Sequence, residues 1–184
     1  MRVFFAIDIP NSICKGLQLI QCGIPGVKWT NSGQFHITLG FIENIHLSDF
    51  EELAYEIQNI NSSSFNIYLS GIKHFGSGEF YSYIWATVAD SPELCDLHKK
   101  IDSFLIRSKF YSRKHSFIPH VTLARIHGFS NQRILNQYLY NHIGYNSETF
   151  EVKKFNIYSS HLRAKGVIHR LECSYTLDGL RKLK

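Results

Sequence analysis

A five-residue pattern occurs twice in this chain: Phe35-His36-Ile37-Thr38-Leu39 returns 84 residues later as Pro119-His120-Val121-Thr122-Leu123. Each copy alternates apolar and polar side chains, which is the period of a half-exposed β-strand. In such a strand Ile37 and Leu39 point to one face while His36 and Thr38 point to the other, and Val121 and Leu123 separate from His120 and Thr122 in the same way. A duplication of this kind predicts two similar lobes facing one another, each giving its motif strand to a shared cleft.

The other elements are mixed. Residues 2–9, rich in Val, Phe and Ile, predict an opening strand buried on both faces. A short helix is expected after Asn11, read as its N-cap, with Ile13, Leu17 and Ile20 inward and Gly23 and Pro25 ending it. Ser48-Asp49-Phe50-Glu51 matches a capping box ahead of the stripe Phe50, Leu53, Ala54, Ile57 and Ile60, which predicts a helix over residues 48–60. Ser91-Pro92 announces a second, carrying Leu94, Leu97, Ile101, Phe104 and Leu105 inward, and a third begins near Ser130 with Ile134, Leu135, Tyr138 and Leu139. β-rich runs fall at residues 35–42, 65–75, 79–89, 117–126, 148–159 and 169–177, with Gly76-Ser77-Gly78 as a hairpin turn. This order argues against a regular parallel βαβ repeat, and no Gly-x-Gly-x-x-Gly or Walker pattern is present. The expected class is α+β: two pseudo-symmetric lobes, each an antiparallel sheet packed with helices, around a central cleft carrying both His-x-Thr motifs, in one bilobal domain over residues 1–184.

Composition narrows the partners. With 44% hydrophobic and 19% charged residues and only four prolines, the chain is of the globular class. The apolar opening run is interrupted by Asp8 and stopped by Pro10, with no signal-peptide cleavage site, and no stretch approaches a transmembrane span. A cytoplasmic monomer without a membrane partner is the expectation. Cys14, Cys22, Cys95 and Cys173 form no Cys-x-x-Cys pair and read as packing residues. A net charge of +5 favours a polyanionic partner. The positive groups crowd just before the second motif, at Lys109, Arg113, Lys114 and His115, and again at Arg163, Lys165, His169 and Arg170.

Two imidazoles and two hydroxyls brought to one point suit phosphoryl chemistry. One neutral imidazole takes a proton from the attacking oxygen and a protonated one gives a proton to the leaving oxygen, each role contributing about 10²–10⁴-fold. Histidine serves both because its unperturbed pKa of about 6.5 leaves either form accessible near neutrality. Hydroxyls of Thr38 and Thr122 would donate to the non-bridging oxygens, where negative charge gathers. Zinc, the competing use of paired histidines, needs a third protein ligand. Only Glu43 and His46 stand near the first motif, past the strand end, so no metal is expected.

These residues carry a family resemblance. The opening Arg2-Val3-Phe4-Phe5-Ala6-Ile7-Asp8-Ile9-Pro10, then Val27-Lys28-Trp29, then Phe117-Ile118-Pro119-His120-Val121-Thr122-Leu123-Ala124-Arg125 and the closing Phe155-Asn156-Ile157-Tyr158-Ser159-Ser160 are similar to the two-histidine phosphoesterases. Within that superfamily the chain resembles the RNA 2′,3′-cyclic phosphodiesterases, historically called 2′-5′ RNA ligases. It departs from their usual pattern at Gly40, Ile42, Glu43 and His169. The resemblance implies hydrolysis of an RNA-terminal 2′,3′-cyclic phosphate to a 2′-phosphomonoester without metal or other cofactor, alongside a reversible 2′-5′ joining activity. It makes His36 and His120 the catalytic pair, with Thr38, Thr122 and Arg125 on the substrate. Strict alternation from His120 would send Arg125 to the opposite face, so a bulge is needed to redirect it. The same motifs would equally serve a 2′-5′ oligoadenylate or small cyclic nucleotide phosphodiesterase, or a binding module without catalysis.

Overall fold

The computed structural model describes residues 1–76, 82–110, 116–126, 131–163 and 166–177. Its elements in chain order are β1 (Arg2–Asp8), α1 (Asn11–Leu19), β2 (Lys28–Trp29), β3 (His36–Ile42), α2 (Leu47–Glu56), β4 (Phe65–Ile67), β5 (Leu69–Phe75), β6 (Ser82–Val88), α3 (Pro92–Arg107), β7 (His120–Ile126), α4 (Gln132–His142), β8 (Phe150–Val152), β9 (Lys154–Arg163) and β10 (Gly166–Thr176). The larger sheet runs β10-β9-β1-β3-β7-β6-β5 with β2 added to β7, and β4 pairs with β8 in a second, two-stranded sheet. All of these pairings are antiparallel.

The duplicated motif is part of a duplicated topology. The order strand, helix, strand, helix, strand, strand occurs as β1-α1-β3-α2-β4-β5 and again as β6-α3-β7-α4-β8-β9, with β2 inserted in the first half and β10 appended to the second. Each half pairs its first strand with its motif strand, while its last strand crosses to the other half: β5 joins β6, and β9 joins β1. Where β3 meets β7, Ile37 pairs with Val121, and the antiparallel sheets of the two lobes run together along that narrow seam.

The helices cover one face of this sheet. α3 buries Leu94, Leu97, Ile101, Phe104 and Leu105, the stripe expected from sequence. Each such side chain contributes about 1.5–3 kcal/mol over exposure. Ser91 caps it, its Oγ accepting from the Leu94 N–H at 3.2 Å. α3 packs on β3 at Gly40, where an added Cβ would stand 3.1 Å from Leu105 and 3.3 Å from Phe5. Tyr138 of α4, in the same half as α3, reaches across to the first half, donating its hydroxyl to the Ile20 carbonyl at 2.8 Å and facing Trp29 at 6.0 Å.

Helix starts differ from the sequence reading in detail. α1 has Pro10 at its cap position, with Asn11 already helical, and it stops at Leu19. α2 starts at Leu47 behind His46, so Ser48 lies inside the first turn and bonds to Asp49 at 3.1 Å instead of capping. The end of the predicted stripe continues as a separate 3-10 turn, Ile57–Asn59. Asn131, whose side chain accepts from the Ile134 N–H at 3.3 Å, caps α4. β5 and β6 pair as the expected hairpin, and Ser77 and Gly78 of its turn lie outside the described residues. Among the described residues no helix is long and apolar enough to cross a membrane.

Candidate active site

Both motif strands carry one extra residue immediately after the threonine. In β3 the register passes from Ala6↔Thr38 to Phe5↔Gly40, leaving Leu39 over; in β7 it passes from Trp85↔Thr122 to Ile84↔Ala124, leaving Leu123 over. A bulge of this kind takes its extra residue out of the ladder, and the displaced carbonyl must find another donor. The Leu39 carbonyl accepts from His98 Nδ1 of α3 at 2.8 Å. The Leu123 carbonyl accepts from Gln21 Nε2 at 3.0 Å and from the Thr30 N–H at 2.8 Å. After each bulge the alternation restarts one residue late: Leu39 and Gly40 are both buried, as are Leu123 and Ala124. The bulge therefore returns Arg125 to the face of His120 and Thr122, and gives the equivalent place beyond the first motif to Phe41.

The two histidines are held alike. His36 Nδ1 donates to the Gln34 carbonyl and His120 Nδ1 to the Ile118 carbonyl, each at 2.7 Å and each two residues back along the chain, just ahead of the motif strand. Each imidazole also lies against an aromatic ring at 4.8 Å, Phe4 for His36 and Trp85 for His120. With Nδ1 protonated and engaged, Nε2 is the nitrogen each ring offers to a substrate.

Their surroundings are not alike. Burial lowers the His36 pKa to about 4; its Gln34 bond raises it, the neighbouring His169 lowers it, Asp8 raises it and His120 lowers it. Asp8, opposite His36 in the register of β1 and β3, accepts from the Tyr158 hydroxyl at 2.7 Å and from Asn156 Nδ2 at 2.8 Å. Burial and that carboxylate together push the Tyr158 phenol up to about 12.

A cleft of about 940 Å3 runs along this face, and His36, Thr38, Thr122 and Arg125 all line it. His120 shares the face by register without lining that cleft, and it is close enough for its charge to act on His36. Arg125 stands over the Tyr83 ring at 6.0 Å and Arg2 over the Phe41 ring at 5.9 Å. Arg2, Lys28 and His169, which also line the cleft, were not singled out as site residues in the sequence. Asp8 carried a signal, as the one carboxylate of a strand otherwise apolar beyond Arg2. Of the basic cluster before the second motif, only Lys109 is among the described residues. Lys109 lines a separate groove between α2 and α3, and Arg113, Lys114 and His115 lie outside the described residues.

Among the described residues no group of three histidine, cysteine or acidic side chains converges to hold a metal ion. Other histidines serve the fold: His98 stacks on Phe117 at 3.8 Å, and His142 Nδ1 bonds the Tyr138 carbonyl at 2.7 Å. The described cysteines are unpaired.

The sequence model of the 2′-5′ RNA ligase superfamily matches residues 10–162. The chain belongs to that superfamily. It is 27% identical to the RNA 2′,3′-cyclic phosphodiesterase of Methanocaldococcus jannaschii, covering 93% of this chain and 98% of that protein. Against the RNA 2′,3′-cyclic phosphodiesterase of Aeropyrum pernix the identity is 29%, over 83% of this chain and 86% of that one. Likeness of fold to solved structures extends over nearly the whole chain. The crystal structure of E. coli LigT complexed with 3′-AMP superposes with a TM-score of 0.78 at 18% identity, covering 96% of this chain and 97% of that one. Thermus thermophilus TT0787 gives 0.77 at 20% identity, covering 97% and 99%.

Proposed function

We propose that this protein hydrolyses the 2′,3′-cyclic phosphate at an RNA end to a 2′-phosphomonoester, and that a 5′-hydroxyl attacking in place of water gives reversible 2′-5′ joining. The observation that carries the reading is the matched tethering of two imidazoles, His36 Nδ1 on Gln34 and His120 Nδ1 on Ile118, at equivalent places on two strands that meet between them. The superfamily and the cyclic phosphodiesterases among the relatives support the choice of substrate.

In this reading one histidine takes a proton from water as its oxygen bonds to phosphorus. The bond from phosphorus to O3′ breaks, and the other histidine returns a proton to O3′. Thr38 and Thr122 donate hydroxyl hydrogen bonds to the non-bridging oxygens, and Arg125 offers a planar cation to the same group. No cofactor enters the scheme, and the partner is an RNA end or a small cyclic nucleotide.

The test is turnover of a nucleoside 2′,3′-cyclic phosphate in EDTA, with products separated as 2′- and 3′-monophosphates. Conversion to the 2′-monophosphate at a rate unchanged by chelator is expected. Retention without turnover would make the protein a binding module, and activity lost in EDTA and restored by zinc would replace the acid/base scheme with a metal-assisted one.

A further inference from the structure

The cleft contains a third imidazole that the proton-transfer scheme does not use. His169 lies on β10 opposite Ser160 of β9 and lines the cleft with His36, Thr38 and Arg125. Its ring meets Phe4 nearly edge-on at 4.7 Å and His36 at 5.8 Å. Its hydrogen bonding is the reverse of the other two. Where His36 and His120 each commit an Nδ1 proton to a carbonyl, Nδ1 of His169 is buried with no hydrogen-bond partner.

A neutral imidazole has one N–H, and leaving that N–H buried without an acceptor costs about 1–3 kcal/mol. The ring avoids this by carrying its proton on Nε2, the nitrogen left to the cleft. Burial, and then the charge of Arg125, lower the His169 pKa and keep the ring neutral near neutral pH. His169 thus offers the cleft an N–H donor, while Nε2 of His36 and of His120 is given over to proton transfer. Around it stand Thr38 and Arg125, which can donate as well. Donors of this kind match the non-bridging oxygens of an oxyanion.

We propose that His169 is a phosphate-binding residue, its Nε2–H donating to a non-bridging oxygen of the bound group beside Thr38 and Arg125, and not a third proton-transfer group. The identity of the ligand rests on the cyclic phosphodiesterase reading above. The binding measurement stands apart from it, because it needs no turnover.

The experiment is calorimetric binding of a nucleoside 2′-monophosphate to wild type, His169→Phe and His169→Gln, with steady-state kinetics on the cyclic phosphate in parallel. Phe keeps a ring against Phe4 and His36 and removes both nitrogens, while Gln restores an N–H of similar reach. Loss of one hydrogen bond to a charged oxygen is expected to weaken binding by roughly tenfold to a hundredfold in His169→Phe. KM should rise in step with little change in kcat, and His169→Gln should recover part of the loss. Wild-type affinity in His169→Phe overturns the proposal. So does a loss confined to kcat, which would mean proton transfer. Should His169→Phe not melt cooperatively, His169→Leu against His169→Gln is read in the same way. Failure of the wild type to hydrolyse would remove the activity reading while leaving these affinities to decide the role of His169.

Discussion

Ile37 of β3 pairs with Val121 of β7, so the middle residues of the two His-x-Thr motifs face each other across the seam of the sheet. Continuing the antiparallel register by one residue either way sets His36 beside Thr122 and Thr38 beside His120. Ile37 and Val121 are both fully buried, which commits the four polar side chains to the opposite face. Each histidine of one lobe therefore has the threonine of the other lobe as its neighbour, and the site is built from both halves at once.

From this follows the first prediction. His36→Ala and His120→Ala should each lower kcat by about two to four orders of magnitude, as loss of one proton-transfer partner does. Both variants should still melt cooperatively, since the seam is carried by Ile37 and Val121. Activity near the wild-type level in either variant would remove the acid/base pair.

A second prediction concerns acid. His36 is held at about 4 by burial, against an ordinary value of 6.5. Between those values the unfolded chain binds a proton that the folded chain refuses. The stability present above pH 6.5 is therefore lost as pH falls through about 4. His74 and His169, both lowered chiefly by burial, act in the same direction. In His36→Phe this contribution is gone, so the melting temperature should fall less steeply than that of the wild type over this interval. Parallel curves for the two proteins would show that His36 is not held neutral in the fold.

The local part of this site was legible in the sequence, and the non-local part was not. Alternation in the two pentapeptides correctly separated His36 and Thr38 from Ile37 and Leu39, because one face of each strand is buried and period two is then unavoidable. The bulges left only a faint trace, the adjacent apolar pairs Leu39-Gly40 and Leu123-Ala124, and at Gly40 the missing side chain lets α3 approach the sheet. Exchange of β5 and β9 between the halves has no local signature at all, since it depends on which edge each strand reaches. Ser48 failed as a cap for a local reason: its hydroxyl had a carboxylate next door and the helix had already begun. His169, a single histidine on a strand at the sheet edge, had no partner in the sequence to set it apart.

Arg125 supplies the third prediction. The Leu123 bulge puts it on the motif face, where its guanidinium lies 6.0 Å over the Tyr83 ring. Arg125→Ala should raise KM for a cyclic phosphate roughly tenfold to a hundredfold, the range for one hydrogen bond to a charged oxygen. Arg125→Lys should recover only part, because an ammonium is a point donor where a guanidinium is a planar fork. Unchanged KM in both variants would mean that Arg125 serves Tyr83 and not the substrate.

The last prediction separates an RNA end from a mononucleotide. Arg2 and Lys28 line the cleft from different strands, Arg2 on β1 over Phe41 and Lys28 on β2 opposite Arg125 in register. Neither belongs to the His-x-Thr motifs, so they are placed to meet phosphates upstream of the terminal one. Contacts of this kind release counterions and carry little sequence information, with a slope of about −0.7 in log K against log salt for each single-strand phosphate neutralised. Arg2→Ala combined with Lys28→Ala should weaken oligonucleotide binding and flatten its salt dependence by roughly 1.4 in that slope, while a nucleoside 2′,3′-cyclic phosphate keeps its KM. Replacing Lys109, which faces the groove between α2 and α3, should leave both substrates unaffected. If the double variant harms the mononucleotide as much as the oligonucleotide, Arg2 and Lys28 act on the terminal phosphate itself, and the cleft then has no separate track for the RNA chain.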